Sequence, residues 1–140
     1  LTKLHALTFA GLCLGLTACQ SLTISQYRIS GATSHRERVE ALLTKFASHE
    51  SLQAVNQAEA RPELNERAAF AWYQNPLLPG IELMAFDLNE TVETRLVEHR
   101  NLFANPSGRF DSLEQKLLHE FHSAFGTEVR FRTEAGRVAW

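Results

Sequence analysis

Residues 81–99 read IELMAFDLNETVETRLVEH, and the parsing of that run decides the architecture. Ile81 to Leu88 and Thr91 to His99 are rich in β-branched and large apolar residues, so two strands are expected. Asn89-Glu90 between them reads as a tight hairpin or a bulge. Side chains alternate across a strand. If Ile81, Leu83 and Ala85 point inward, Met84 and Phe86 are left on the other side. In the second strand Val92 and Leu96 point inward, and Glu93, Arg95 and Val97 outward.

Working outward, SLTISQYRIS (21–30) alternates loosely and is rich in Ile, Thr and Tyr, a further strand. Ser34 and Glu37 form a capping box, after which Val39, Leu42, Leu43 and Phe46 fall on one face of a helix over about 35–49. SLQAVNQAEARPELNE reads as a helical extension followed by a loop ending near Pro62. RAAFAWYQN (67–75) reads as a strand stopped by Asn75-Pro76 and Pro79-Gly80. Strand parity there sets Tyr73 opposite to Phe70 and Trp72, and strand aromatics at alternate positions are core-formers.

Towards the end, Asp111 and Glu114 repeat the capping pattern. Phe110, Leu113, Leu117, Phe121 and Phe125 form an apolar stripe, and Gly126 stands where a helix-terminating glycine belongs. TEVRFRTE (127–134) closes as a strand, with Glu134-Ala135-Gly136 a turn into RVAW. Two helices with one apolar face each cannot cover both sides of such a sheet. The economical solution is an α+β two-layer sandwich, with both helices on one face of a mainly antiparallel sheet. That layout is similar to the ferredoxin-like split βαβ arrangement.

The chain opens LTKLHALTFAGLCLGLTAC: one cation at Lys3, an apolar run from about Ala6 to Leu16, then small residues. This is the layout of a secretory signal peptide, and a run of about a dozen residues is too short to span a bilayer. Leu16-Thr17-Ala18-Cys19 resembles the bacterial lipobox. The resemblance implies cleavage before Cys19, acylation of its sulfur and then of its new amino group, with palmitate among the chains. A thiol suits that step because its thiolate attacks readily, and two or three chains anchor stably where one does not. Gln20 rather than aspartate after the cysteine implies outer-membrane sorting in a Gram-negative cell, facing the periplasm. Residues 1–18 are then leader, and 19–140 a single α+β domain.

Cleavage removes Lys3 and Cys13, so the formal charge of −2 becomes −3, and no disulfide can form. A near-neutral chain argues against nucleic acid, which needs a basic patch. Gly and Pro are sparse, and no internal repeat or low-complexity tract is visible.

Catalytic and metal-binding signals fail their tests. LLHEFHSAFG approaches the zinc signature H-E-x-x-H, but His119 and His122 are three apart and fall on the polar side of the helical stripe. There is no G-x-S-x-G and no phosphate-cradling glycine loop. Carboxylate pairs such as Glu90 with Glu93, or Glu114 with Glu120, read as solvated charges. The expectation is a non-enzymatic domain without cofactor or metal that binds an envelope protein or other envelope component. The alternative is a lipid- or peptide-binding lipoprotein with an apolar groove between helices and sheet.

Parity also locates the expected partner surface. Val129 and Phe131 point to the helices, so Arg130 and Arg132 point away. Met84, Phe86, Arg95, Arg130 and Arg132 would form an apolar centre with arginines around it, the composition enriched at protein interfaces. The competing reading has a loop or RVAW folded over that face.

Overall fold

The computed structural model describes residues 19–30, 34–56, 69–77, 80–101 and 107–139. The leader with Leu16, Thr17 and Ala18, the Pro62 loop and Trp140 lie outside the described residues, as do the side chains of Cys19 and Ser34. The elements in chain order are β1 (Cys19–Ser30), α1 (Ser34–His49), β2 (Gln53–Ala54), β3 (Ala71–Gln74), β4 (Ile81–Asp87), β5 (Thr91–Asn101), α2 (Gly108–Phe125) and β6 (Val129–Ala139). The strands form one sheet in the order β2-β3-β4-β5-β1-β6, and every pairing is antiparallel. The fold is α+β.

That six-strand order is not the ferredoxin-like one. Between α1 and β4 the chain inserts β2 and β3, which pair successively beyond β4 and lengthen the sheet on that side. Neither strand order nor insertion is carried by periodicity, which reports only which face of a strand is apolar.

Both helices cover one face. Val39, Leu43, Phe46 and Ala47 of α1 and the whole α2 stripe share one cluster with Tyr27, Ile29, Ile81, Leu83, Ala85, Val92, Leu96 and Val129. The helical residues recur at three- and four-residue spacing, as a face buried on a sheet requires. Tyr27 stacks on Phe121 with ring centroids 5.1 Å apart. The interior is filled: Leu43, Leu83, Leu96, Leu113 and Leu117 are all fully buried.

The helix ends differ from expectation in instructive ways. α1 stops at His49 rather than extending, because Ser51 takes a left-handed conformation (φ 58°) and Leu52 folds back into the core. α2 begins a turn before Asp111. Its N-cap is Ser107, whose side chain accepts from the Phe110 N–H at 3.2 Å. Ser107 is itself fixed by Glu98, which accepts from its hydroxyl at 2.5 Å. Gly126 ends α2 at φ 58°, its N–H donating to the His122 carbonyl.

The turn between β4 and β5 is a tight hairpin. Asn89 adopts a left-handed conformation (φ 71°), which asparagine tolerates well, and the Leu88 N–H donates to the Thr91 carbonyl at 2.9 Å. No turn interrupts residues 134–136. β6 runs on to Ala139 because β1 begins at Cys19 and offers it a partner along its whole length, ending in the pair Cys19↔Ala139. The backbone of residues 137–139 is therefore in the sheet, not folded over its face. Among the described residues no helix is long and apolar enough to cross a membrane.

Candidate functional site

Cross-strand partners share a face, so the register writes out the side of the sheet that the helices leave. One row runs Phe86–Glu93–Arg28–Arg130, and the next Trp72–Met84–Arg95–Gln26–Arg132. A third runs Gln74–Glu82–Val97–Ile24–Glu134. At the centre Ala69, Met84, Phe86 and Val97 form a second buried cluster, with Leu22, Ile24 and Trp72 packed on it and partly exposed. Trp72 keeps a buried indole N–H with no hydrogen-bond partner among the described residues.

Met84 and Phe86 thus lie on the helix-free face, yet each is only 4 % exposed. Trp72, Leu22 and Ile24 are the more accessible apolar members. Arg95 sets its guanidinium 4.7 Å from the Phe86 ring centre, a cation–π arrangement. Arg130 is exposed, and Arg132 pairs with Glu134 along its own strand.

Glu93 departs from the sequence reading. Its pairing with Glu90 in the sequence reads as solvated charge, and it is instead fully buried. Arg28 donates to it at 2.5 Å and Arg95 donates to its other oxygen. Two guanidiniums compensate the loss of hydration that an isolated buried carboxylate could not bear. Glu114 is held as well, accepting from Ser25 and, at 3.1 Å, from Thr133; Glu90 and Glu120 are exposed.

Phe70 also corrects the parity argument. β3 starts only at Ala71, so alternation does not reach Phe70. Phe70 packs with Tyr73 on the helix side, under the Arg36 guanidinium at 4.8 Å, while Trp72 faces away.

Other polar groups serve the joints of the fold. Glu50 accepts from Arg109 at 3.0 Å and Lys116 at 2.9 Å, tying the end of α1 to α2. Burial pushes its carboxyl up, but these two cations outweigh that and hold it below the usual glutamate range. Tyr27 donates its hydroxyl to the Glu114 carbonyl at 3.0 Å. Burial, and then the Glu114 charge, raise its phenol well above the usual tyrosine range. His119 and His122 are exposed on α2, and no group of three potential metal-ligating side chains occurs among the described residues. His99 meets Glu82 at 3.2 Å, with the histidine well exposed.

Two shallow concavities lie on the outer side of the helices. One is lined by α1 residues including Glu37, Thr44 and His49; the other lies between α1 and α2, with Glu50, Lys116 and His119. Neither opens between helices and sheet. The arrangement best suited to recognition is therefore the helix-free face, where apolar and aromatic groups sit beside four arginines. Sequence reasoning missed Arg28, Trp72, Leu22 and Ile24 as members. The parity used for β6 contained that signal, since Tyr27 and Ile29 point to the helices and leave the even-numbered residues of β1 outside.

No protein-family model matches this sequence, and no curated protein matches it. Among solved structures a de novo designed protein, Foldit4, is similar over 86 % of this chain and 98 % of its own. Identity is 9 % and the TM-score 0.43, a likeness too loose to carry an argument about function.

Proposed function

We propose that this chain is a bacterial lipoprotein, acylated at Cys19 and held on the periplasmic side of the outer membrane, where it acts as a non-enzymatic docking domain for an envelope protein. The observation that carries the docking is the second apolar cluster on the helix-free face, with Arg28, Arg95, Arg130 and Arg132 beside it. Aromatic residues, methionine and arginine are the side chains enriched at protein interfaces. The anchoring draws support from the apolar run that ends in Leu16-Thr17-Ala18-Cys19, which is similar to the bacterial lipobox. The groove alternative loses ground, because the space between helices and sheet is occupied by fully buried leucines.

We also infer that β1, α1 and β4 form a split βαβ unit. Both strands pair antiparallel with β5 and so run parallel with β5 between them. On this reading β2 and β3 are additions to a ferredoxin-like core.

A photoreactive residue at Ile24, in whole cells, tests the docking. The expected result is a discrete crosslink that disappears when Trp72→Ala and Arg95→Gln are combined, with none from a probe at Lys45 on α1. A crosslink from Lys45 and none from Ile24 would contradict the reading.

A further inference from the structure

We propose that β6 is an acceptor edge for an extended acidic segment of a partner protein, which adds to the sheet as a seventh strand with Asp or Glu at alternate positions. The inference rests on the docking reading above and names the chemistry and geometry of the partner. β6 is the last strand of the sheet, and its described pairing is with β1 alone. At eleven residues it is a long edge, whereas the opposite edge, β2, has two. A strand with one side unpaired presents a row of backbone donors and acceptors ready for another chain.

The side chains of β6 say which chain. Arg130 and Arg132 project from the helix-free face at alternate positions, both exposed. Arg28 is the cross-strand neighbour of Arg130, and like charges directly opposite each other are unfavourable. Glu93 answers Arg28 from the inner side, and no described ion pair answers Arg130. An acidic residue opposite Arg130 on an added strand would give that guanidinium the kind of partner that Glu93 gives Arg28. Guanidiniums suit this because their planar forks match carboxylates. On the other face, Phe131 is 37 % exposed while its ring packs on Tyr27 at 5.1 Å. An apolar residue between the two acidic positions would cover it. Edge charges also discourage promiscuous strand pairing; the unanswered Arg130, with Arg132 beside it already met by Glu134 of the same strand, disfavours a basic strand there and favours an acidic one.

The test uses the full chain in detergent with three labelled peptides. These are acetyl-EVEVEVE-amide, the charge-reversed acetyl-KVKVKVK-amide, and an acidic control, acetyl-EVEPEVE-amide, whose central proline blocks strand pairing. Binding is read by anisotropy, and amide hydrogen exchange is read along β6. The first peptide should bind, slow exchange at the outward amides of β6, and exceed both controls by roughly tenfold or more, which corresponds to about 1.4 kcal/mol. Arg130→Glu with Arg132→Glu should transfer the preference to the basic peptide. If that variant does not fold, Arg130→Gln with Arg132→Gln should reduce binding of the acidic peptide by a similar factor. Failure of the acidic peptide to bind would overturn the proposal. So would equal binding by the proline control, unchanged β6 exchange, or capture of phosphatidylglycerol vesicles in place of the peptide. An Ile24 crosslink that persists while the peptide fails removes this inference and leaves the docking reading standing.

Discussion

Arg28 donates to Glu93 at 2.5 Å across adjacent strands, yet the arginine side chain is half exposed while the glutamate is wholly buried. The asymmetry means that the pair and its second donor, Arg95, act as a lid over their own anion. Removing the donors should therefore do more damage than removing the acceptor. Arg28→Ala with Arg95→Ala strands a buried charge and should cost about 3–5 kcal/mol. Glu93→Gln leaves two guanidiniums that water can reach and should cost about 1–3 kcal/mol. Urea denaturation of the three proteins decides the order; a larger loss for Glu93→Gln would contradict this account.

Tyr27 makes stability depend on alkaline pH. Its native phenol is raised, by burial first and then by Glu114, so the unfolded chain releases that proton at a lower pH than the folded one. The contribution is complete below the unfolded tyrosine range and is lost as pH rises above about 10. Tyr27→Phe should sacrifice about 1 kcal/mol at neutral pH through the lost hydrogen bond to Glu114 and flatten the fall above pH 10. An alkaline limb equally steep in both proteins would show that another group governs it.

Glu50 works in the opposite sense. Its folded carboxyl is lowered by Lys116 and Arg109 against the upward push of burial. The resulting stability is present above the unfolded glutamate range and is lost as pH falls through and below it. Lys116 is half exposed, so solvent screening keeps the effect within about 1 kcal/mol. Glu50→Gln should make the acid limb shallower below about pH 4, as read by denaturant titrations from pH 3 to 7.

Gly80 is required by a close approach rather than by a special backbone angle. A Cβ there would lie 2.8 Å from the His99 carbonyl oxygen, and the His99 N–H donates to the Gly80 carbonyl at 2.8 Å. Backbone cannot swing aside as a flexible side chain does. Gly80→Ala should cost about 1–3 kcal/mol by overpacking, with the loss appearing in hydrogen exchange at the start of β4. A neutral substitution would mean that this end of the β4–β5 pair yields easily.

The parts of this fold that sequence made legible are those where one period governs a whole element. The apolar positions Val92 and Leu96 of β5 could be assigned to the helix side from alternation. In β4 both parities are apolar, so the division of Ile81, Leu83 and Ala85 from Met84 and Phe86 was legible only as a conditional that the packing resolves. The α2 stripe repeats at helical spacing from Phe110 to Phe125, and all five residues are buried. What escaped depends on contacts remote in the chain. The start of α2 is set by Glu98 holding Ser107, not by the local pattern at Asp111. Glu93 occupies an outward position and is covered only because β1 places Arg28 beside it. Phe70 lies one residue before its strand, where alternation has no authority. At the candidate face, Arg95, Arg130 and Arg132 were visible from parity. Arg28 was within reach of the same parity on β1, while Trp72 needed the register of β3 against β4.

The central claim is that a lipid on Cys19 holds this sheet at a membrane, and the intact mass of the mature chain from envelopes tests it most directly. The account predicts a chain beginning at Cys19, heavier than the peptide by two or three acyl groups, labelled by supplied palmitate and released from membranes in Cys19→Ala. A mature chain that retains residues before Cys19, or one that begins there with an unmodified mass, would contradict it.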